Sequence, residues 1–270
     1  MTATDERAVD GEPQVTLLEC LTDEELAVLS AVEVAVVTPH LSSRAPKARL
    51  PLLETAYRGL VARGVVTPPT AQARARARAA VADAAQDPSV PVVGVEVEVR
   101  EDVAALVALR QGAQAVVAVA RTSAVVQDYL YVHVVDDVAL VELVSSDGFH
   151  RFSLTRAADV VPVVLGAVIH PEATDGYGEA LEIAAPAHAD PTPPEDLLAQ
   201  AGEALLRCDV AVLIPGAESP ELLGVFSSPG GSWLFRARHG SGEPVHAQPM
   251  TVAAMGGEIT ALVEQIPTVG

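Results

Sequence analysis

Between Leu50 and Arg63 the apolar residues Leu53, Tyr57, Leu60 and Val61 recur three and four apart, and Arg58 and Arg63 fall off that stripe. This spacing predicts an amphipathic helix with Pro51 in its first turn and Gly64 as its stop. Leu17–Leu29 predicts an earlier helix, with Thr22, Asp23, Glu24 and Glu25 grouping carboxylates at a turn or helix start. Val32–Val37 reads as helix or strand. After a Pro-Pro break at Thr67–Thr70, an Ala/Arg helix is expected over Ala71–Ala85. From Pro91 the period shortens to two: Val92–Val99, with its GVEVEV alternation, predicts a strand, and Glu101–Arg110 a short helix. Strands follow at Ala115–Arg121, Tyr129–Val134 and Val138–Val144, the last two joined by a tight Asp136-Asp137 turn. A turn at Ser145–Gly148, a strand at Phe149–Leu154 and an apolar helix at Thr155–Ile169 complete this stretch.

The same order then recurs. A helix at Pro194–Leu206 leads to a buried-type strand at Cys208–Ile214. A hairpin of Leu222–Ser227 and Ser232–Arg238 follows, then a strand at Pro244–Pro249 and a final helix at Thr251–Ile266. Side by side, His150–Ile169 and Val245–Ile266 each give a short strand, a threonine (Thr155, Thr251), an alanine pair and an apolar helix. The expectation is an α+β chain built on a duplicated strand, hairpin, strand, helix unit. Its divisions are a disordered acidic tail over 1–16, a helical region over 17–90, a first α+β half over 91–170, a linker over 171–193 and a second half over 194–270.

Composition narrows the classes. With 50% hydrophobic residues a disordered chain is excluded, and with only 4 Phe, 4 Tyr and 1 Trp the interior must be filled by Val, Leu and Ala. The formal net charge is -19, unevenly spread: the segment from Arg44 to Ala80 is +7 and residues 81–270 are -18. The most apolar stretch, Val160–Ile169, is shorter than the roughly 20 residues a bilayer span needs, so no membrane insertion is expected. Residues Met1–Val15 are polar and acidic where a secretory signal needs basic and then apolar residues. The 2 cysteines, Cys20 and Cys208, cannot make a disulfide framework or a cysteine zinc site. A reduced, cytoplasmic setting is the expectation.

Few residues suggest chemistry. The glycine pairs Gly230-Gly231 and Gly256-Gly257 lack the strand, GxGxxG, helix order that brings amides to phosphate. Only His170 has several carboxylates near it in sequence, Glu172, Asp175 and Glu179, without the HExxH spacing that sets two imidazoles on one helical face. His133, between apolar residues in mid-strand, reads as a core or sheet-face histidine. Cys208, ahead of an apolar run, reads as a buried inert thiol. No catalytic residue, metal site or cofactor is expected. The basic segment from Arg44 to Arg78 beside the helix at Leu50–Arg63 leaves a winged-helix, DNA-binding regulator as the alternative, although the whole-chain charge disfavours nucleic acid.

The order of segments is the informative feature. Leu21–Val66 has an early helix, a short Pro-containing crossing, and a helix ending in Ala62-Arg63-Gly64. With Arg110–Val135, Phe149–Ile169, Gly178–Ala187 and Ser232–Val263, it resembles the EspG family, cytosolic chaperones of actinobacterial type VII secretion. The resemblance spans Leu17–Ile266 and rests on hydrophobic patterns. It implies one compact domain, quasi-twofold, around a twisted, mainly antiparallel sheet flanked by helices. It also implies a non-catalytic monomer or homodimer that binds helical secretion substrates of PE/PPE or WXG type, keeps them soluble and guides them to export. The loop that contributes to the partner surface in that family corresponds here to Arg121, Thr122, Ser123, Ala124, Val125, Val126 and Gln127; Val125 and Val126 equally suit the start of the next strand.

Overall fold

The computed structural model describes residues 16–30, 34–86, 97–125, 127–183, 204–217, 220–238 and 243–267. They divide into two compact units: Leu21–Gln111, and the described parts of Met1–Cys20 with Gly112–Gly270.

The first unit is mostly helical. α1 (Asp23–Leu29) starts at a capping box in which Thr22 Oγ1 accepts from Glu25 N and Glu25 Oε2 accepts from Thr22 N. The predicted helix at Leu17–Leu29 is therefore corrected: its first half is strand β1 (Thr16–Thr22). α2 (Pro39–Ser42) is a single turn, and Val34–Val37 forms neither helix nor strand. α3 (Pro46–Ala62) begins four residues before the expected helix, with Pro46 in its first turn. Pro51 thus lies inside the helix rather than in its first turn, where it removes one donor from the ladder. The expected stop holds. Gly64 takes φ 69°, its N–H reaches Val61 O at 3.1 Å and Val65 N reaches Leu60 O at 2.9 Å, closing α3 with the paired bonds of a Schellman motif. β2 (Val66–Thr67) pairs with β3 (Glu98–Val99); of the expected strand at Val92–Val99 only residues 97–99 are described, and Val97 is not in a strand. α4 (Ala71–Gln86) and α5 (Glu101–Gln111) complete the unit.

The second unit is a sheet with helices. β4 (Ala115–Thr122), β5 (Gln127–Val135), β6 (Val138–Ser145) and β7 (Phe149–Arg156) form a meander that ends in α6 (Val160–Val168). β9 (Leu206–Leu213), β10 (Glu221–Ser227), β11 (Trp233–Arg238) and β12 (Val245–Pro249) form a second, ending in α7 (Val252–Val263). With β8 (Leu181–Ile183), the order across the ten strands is β1-β7-β6-β5-β4-β9-β10-β11-β12-β8. The two meanders run outward from a central antiparallel β4–β9 pair in which Ala118 faces Ala211. The fold is thus α+β, with a mainly antiparallel sheet duplicated about its middle, as the repeated sequence pattern predicts.

Period two explains the core. Ala115, Val117 and Val119 of β4, Leu130, Val132 and Val134 of β5, Cys208, Val210 and Val212 of β9, and Leu223 and Val225 of β10 are buried and lie on one face. Against them pack Val160, Val164 and Val168 of α6 and Met255, Ile259 and Leu262 of α7. Each fully buried aliphatic side chain of this kind is worth about 1.5–3 kcal/mol. The Asp136-Asp137 turn forms as expected, Asp136 taking φ 50°.

Two details differ from the sequence reading. Thr155 does not begin a helix: it pairs with Ala139 in β7, and α6 starts five residues later, after a 3-10 turn at Ala157–Asp159. Its expected counterpart Thr251 does cap α7, accepting from Ala254 N at 3.1 Å. At the start of the second half Leu206 belongs to β9, not to a helix. Most of the predicted helix at Pro194–Leu206, like the tail up to residue 15, lies outside the described residues.

Candidate functional site

The predicted partner segment forms the β4–β5 hairpin end. Arg121 and Thr122 close β4, Gln127 opens β5 opposite Thr122, and Ser123, Ala124 and Val125 form the connection; Val126 lies outside the described residues. Val125 is therefore not the first residue of the next strand. It is 89% exposed, the most exposed of the large apolar side chains among the described residues. The base of the hairpin is held by a two-pronged ion pair across the strands, Arg121 Nε and Nη2 donating to Asp128 Oδ1 and Oδ2, each at 2.7 Å. Asp128 raises the Arg121 pKa further above its already high ordinary value. Cys208 is in register with Arg121 on the neighbouring strand. Burial pushes its thiol up to about 12, so it is inert as a nucleophile, as its sequence context suggests.

The acidic loop after α6 is used structurally. His170 N donates to Ser227 Oγ (3.1 Å), Thr174 N to Ser228 O (3.0 Å), Ser232 N to Thr174 O (3.1 Å) and Gly176 N to Met250 O (2.7 Å). The Asp175 carboxylate accepts from Val252 N (2.8 Å) at the start of α7. The loop thereby stitches the β10–β11 turn to the last helix. A Cβ on Gly176 would sit 2.0 Å from Ser232 O, so only glycine fits. Among the described residues no group of three or more His, Cys, Asp or Glu is placed to hold a metal ion.

A polar cluster that spacing did not reveal lies within the first meander. His133 on β5, Glu142 on β6 and His150 on β7 are all fully buried. Glu142 Oε2 meets His133 Nε2 at 2.7 Å and Glu142 Oε1 meets His150 Nδ1 at 2.6 Å. An ionised carboxylate only accepts, so each imidazole donates to it; His133 Nδ1 has no hydrogen-bond partner. His133 is the sheet-face histidine the sequence suggests, whereas the spacing of Glu142 and His150 does not mark them as its companions. The available signal was Glu142 itself, a lone carboxylate in the apolar run VALVELV, because a charge there requires buried partners.

The basic segment does not make one surface. Arg63 donates to both oxygens of Glu25 (2.9 and 3.0 Å), and Arg49 donates to the backbone carbonyls of Arg44 and Ser42. On α4, Arg74 and Arg78 share a side, whereas Arg76 is about 200° round from Arg74 at 100° per residue. Comparison with known proteins adds no identity: no family model and no curated protein matches this sequence.

Proposed function

We propose that this protein is a non-catalytic cytosolic chaperone of the EspG kind, binding helical type VII secretion substrates of the PE/PPE or WXG type and keeping them soluble for export. The observation that carries the reading is the architecture: two outward meanders about an antiparallel β4–β9 pair, each ending in a helix, are what the family resemblance implies. We assign the contact to the hairpin at Ser123–Val125, where the Arg121–Asp128 ion pair closes the base and Val125 is exposed at the end.

Co-expression with helical secretion substrates of the PE/PPE or WXG type tests the proposal. A soluble complex that elutes as one species is expected. Burying a valine is worth about 1.5–3 kcal/mol, so Val125→Asp should weaken the complex roughly tenfold or more while leaving the fold unchanged. Substrates that remain insoluble, or elute apart from the chain, would count decisively against it.

A further inference from the structure

Five cations on α3 and α4, together with the exposed Arg151 of β7, differ from the other basic residues described. Arg63, Arg100, Arg121, Arg156, Arg207 and Arg236 each reach a carboxylate oxygen within 3.5 Å. Among the described residues, Lys47, Arg58, Arg74, Arg76 and Arg78 make no side-chain hydrogen bond or ion pair, in a chain with 36 acidic and 17 basic residues. Glu54, the one acid between Arg44 and Ala80, precedes Arg58 by one helical turn and does not pair with it.

Two of these cations share a groove. Arg58 of α3 and Arg74 of α4 line an open concavity of about 670 Å³ with Tyr57, Val61, Ala62 and Pro68. Ala62 and Pro68 are exposed, and Tyr57 and Val61 are half-buried. Arg78 lies one turn beyond Arg74 on the same side of α4. The groove thus sets apolar surface beside unneutralised guanidinium groups, within a segment of charge +7.

We propose that this groove docks an acidic, partly apolar segment of a partner protein, its carboxylates meeting Arg58 and Arg74 and its apolar side chains covering Val61 and Pro68. Charge complementarity selects acidity, because an arginine fork matches a carboxylate and the groove offers no competing acid. The apolar part of the lining favours a peptide over a nucleic acid, whose phosphate backbone would leave Val61 and Pro68 uncovered. Arg76 on the far side of α4 and Arg63 tied to Glu25 break up the continuous positive track that a duplex follows. This proposal is independent of the β4–β5 hairpin, which the variants below leave untouched.

Fluorescence anisotropy with the full chain tests it, using a labelled peptide of about 15 residues with glutamate and leucine at helical spacing. The peptide should bind, and more weakly as salt is raised. Arg58→Glu with Arg74→Glu should weaken binding about tenfold or more, whereas Arg156→Glu, which reverses an exposed but paired arginine, should change it less than about twofold. A peptide with lysine in place of glutamate should not bind. Far-UV circular dichroism checks the fold of the double variant, and if that variant is unfolded, Arg58→Gln with Arg74→Gln should still weaken binding several-fold. No binding of the acidic peptide, equal binding of the lysine peptide, undiminished affinity in the folded double variant, or tighter binding of a duplex DNA of similar length would each overturn the proposal.

Discussion

Replacing Glu142 by leucine should be among the most damaging single changes in the sheet. The carboxylate accepts from His133 Nε2 at 2.7 Å and from His150 Nδ1 at 2.6 Å, and all three side chains are fully buried. His133 Nδ1 already lacks a partner, so Glu142→Leu leaves that imidazole with none at either nitrogen. Each stranded polar group costs about 1–3 kcal/mol, and removing one partner from a buried charged set about 3–5 kcal/mol. Relief from desolvating the carboxylate offsets part of this, so about 3–5 kcal/mol in total is expected, or roughly 6–20 °C in melting temperature for a domain of this size. Urea titration followed by Trp233 fluorescence reads it directly, because the only tryptophan is buried on β11 of the same sheet. A double-mutant cycle sharpens the test. His133→Leu and Glu142→Leu break the same bond, so together they should cost less than the sum of the two by about 1–3 kcal/mol. A loss below about 1 kcal/mol for Glu142→Leu, or strict additivity in the cycle, would refute the account of a coupled buried network.

Other outcomes follow from the geometry. Gly176→Ala should destabilise the protein by about 3 kcal/mol or more, since the new Cβ would overlap the Ser232 carbonyl, which is backbone and cannot swing away; chemical denaturation measures it. In a thiol titration of the native protein Cys20, exposed on β1, should react promptly, while Cys208, with its thiol at about 12 and its Sγ packed against the Val168 carbonyl, should react only after denaturant is added. The Arg100 guanidinium beside Asp102 holds that carboxyl below the ordinary carboxylate value of 3.8. A lowered folded-state pKa means the contribution is present above the unfolded value and is lost as pH falls through the folded one. Asp102→Asn should therefore reduce stability at neutral pH and make no difference in strong acid, and an NMR titration of Asp102 should show a midpoint below 3.8.

Local signals were legible in the sequence where one residue or one short period decides the outcome. Gly64 ends α3 because only glycine takes φ 69° without strain, and the alternation of Ala115, Val117 and Val119 sends three side chains of β4 to the helix-covered face. The repeat was readable because both meanders need the same order of strands, turns and helix. A connection after β4 is legible in the sequence, but Arg121, Thr122 and Gln127 belong to the flanking strands, and the exposure of Val125 depends on where β5 begins.

What the sequence determined by itself is the alternation of elements, their duplication and the positions of the tight turns, all of which are properties of neighbouring residues. Tertiary structure decided the rest. Thr16–Thr22 is a strand because β7 lies beside it, although its pattern also suits a helix. Thr155 is in a strand because Ala139 faces it, although Thr251 in the matching pattern caps a helix. His133, Glu142 and His150 meet because three antiparallel strands set them side by side. Asp175 serves α7 across 77 residues of chain. Each depends on a partner distant in sequence, and residue spacing fixes which face a side chain takes but not which strand or helix end comes to lie against it.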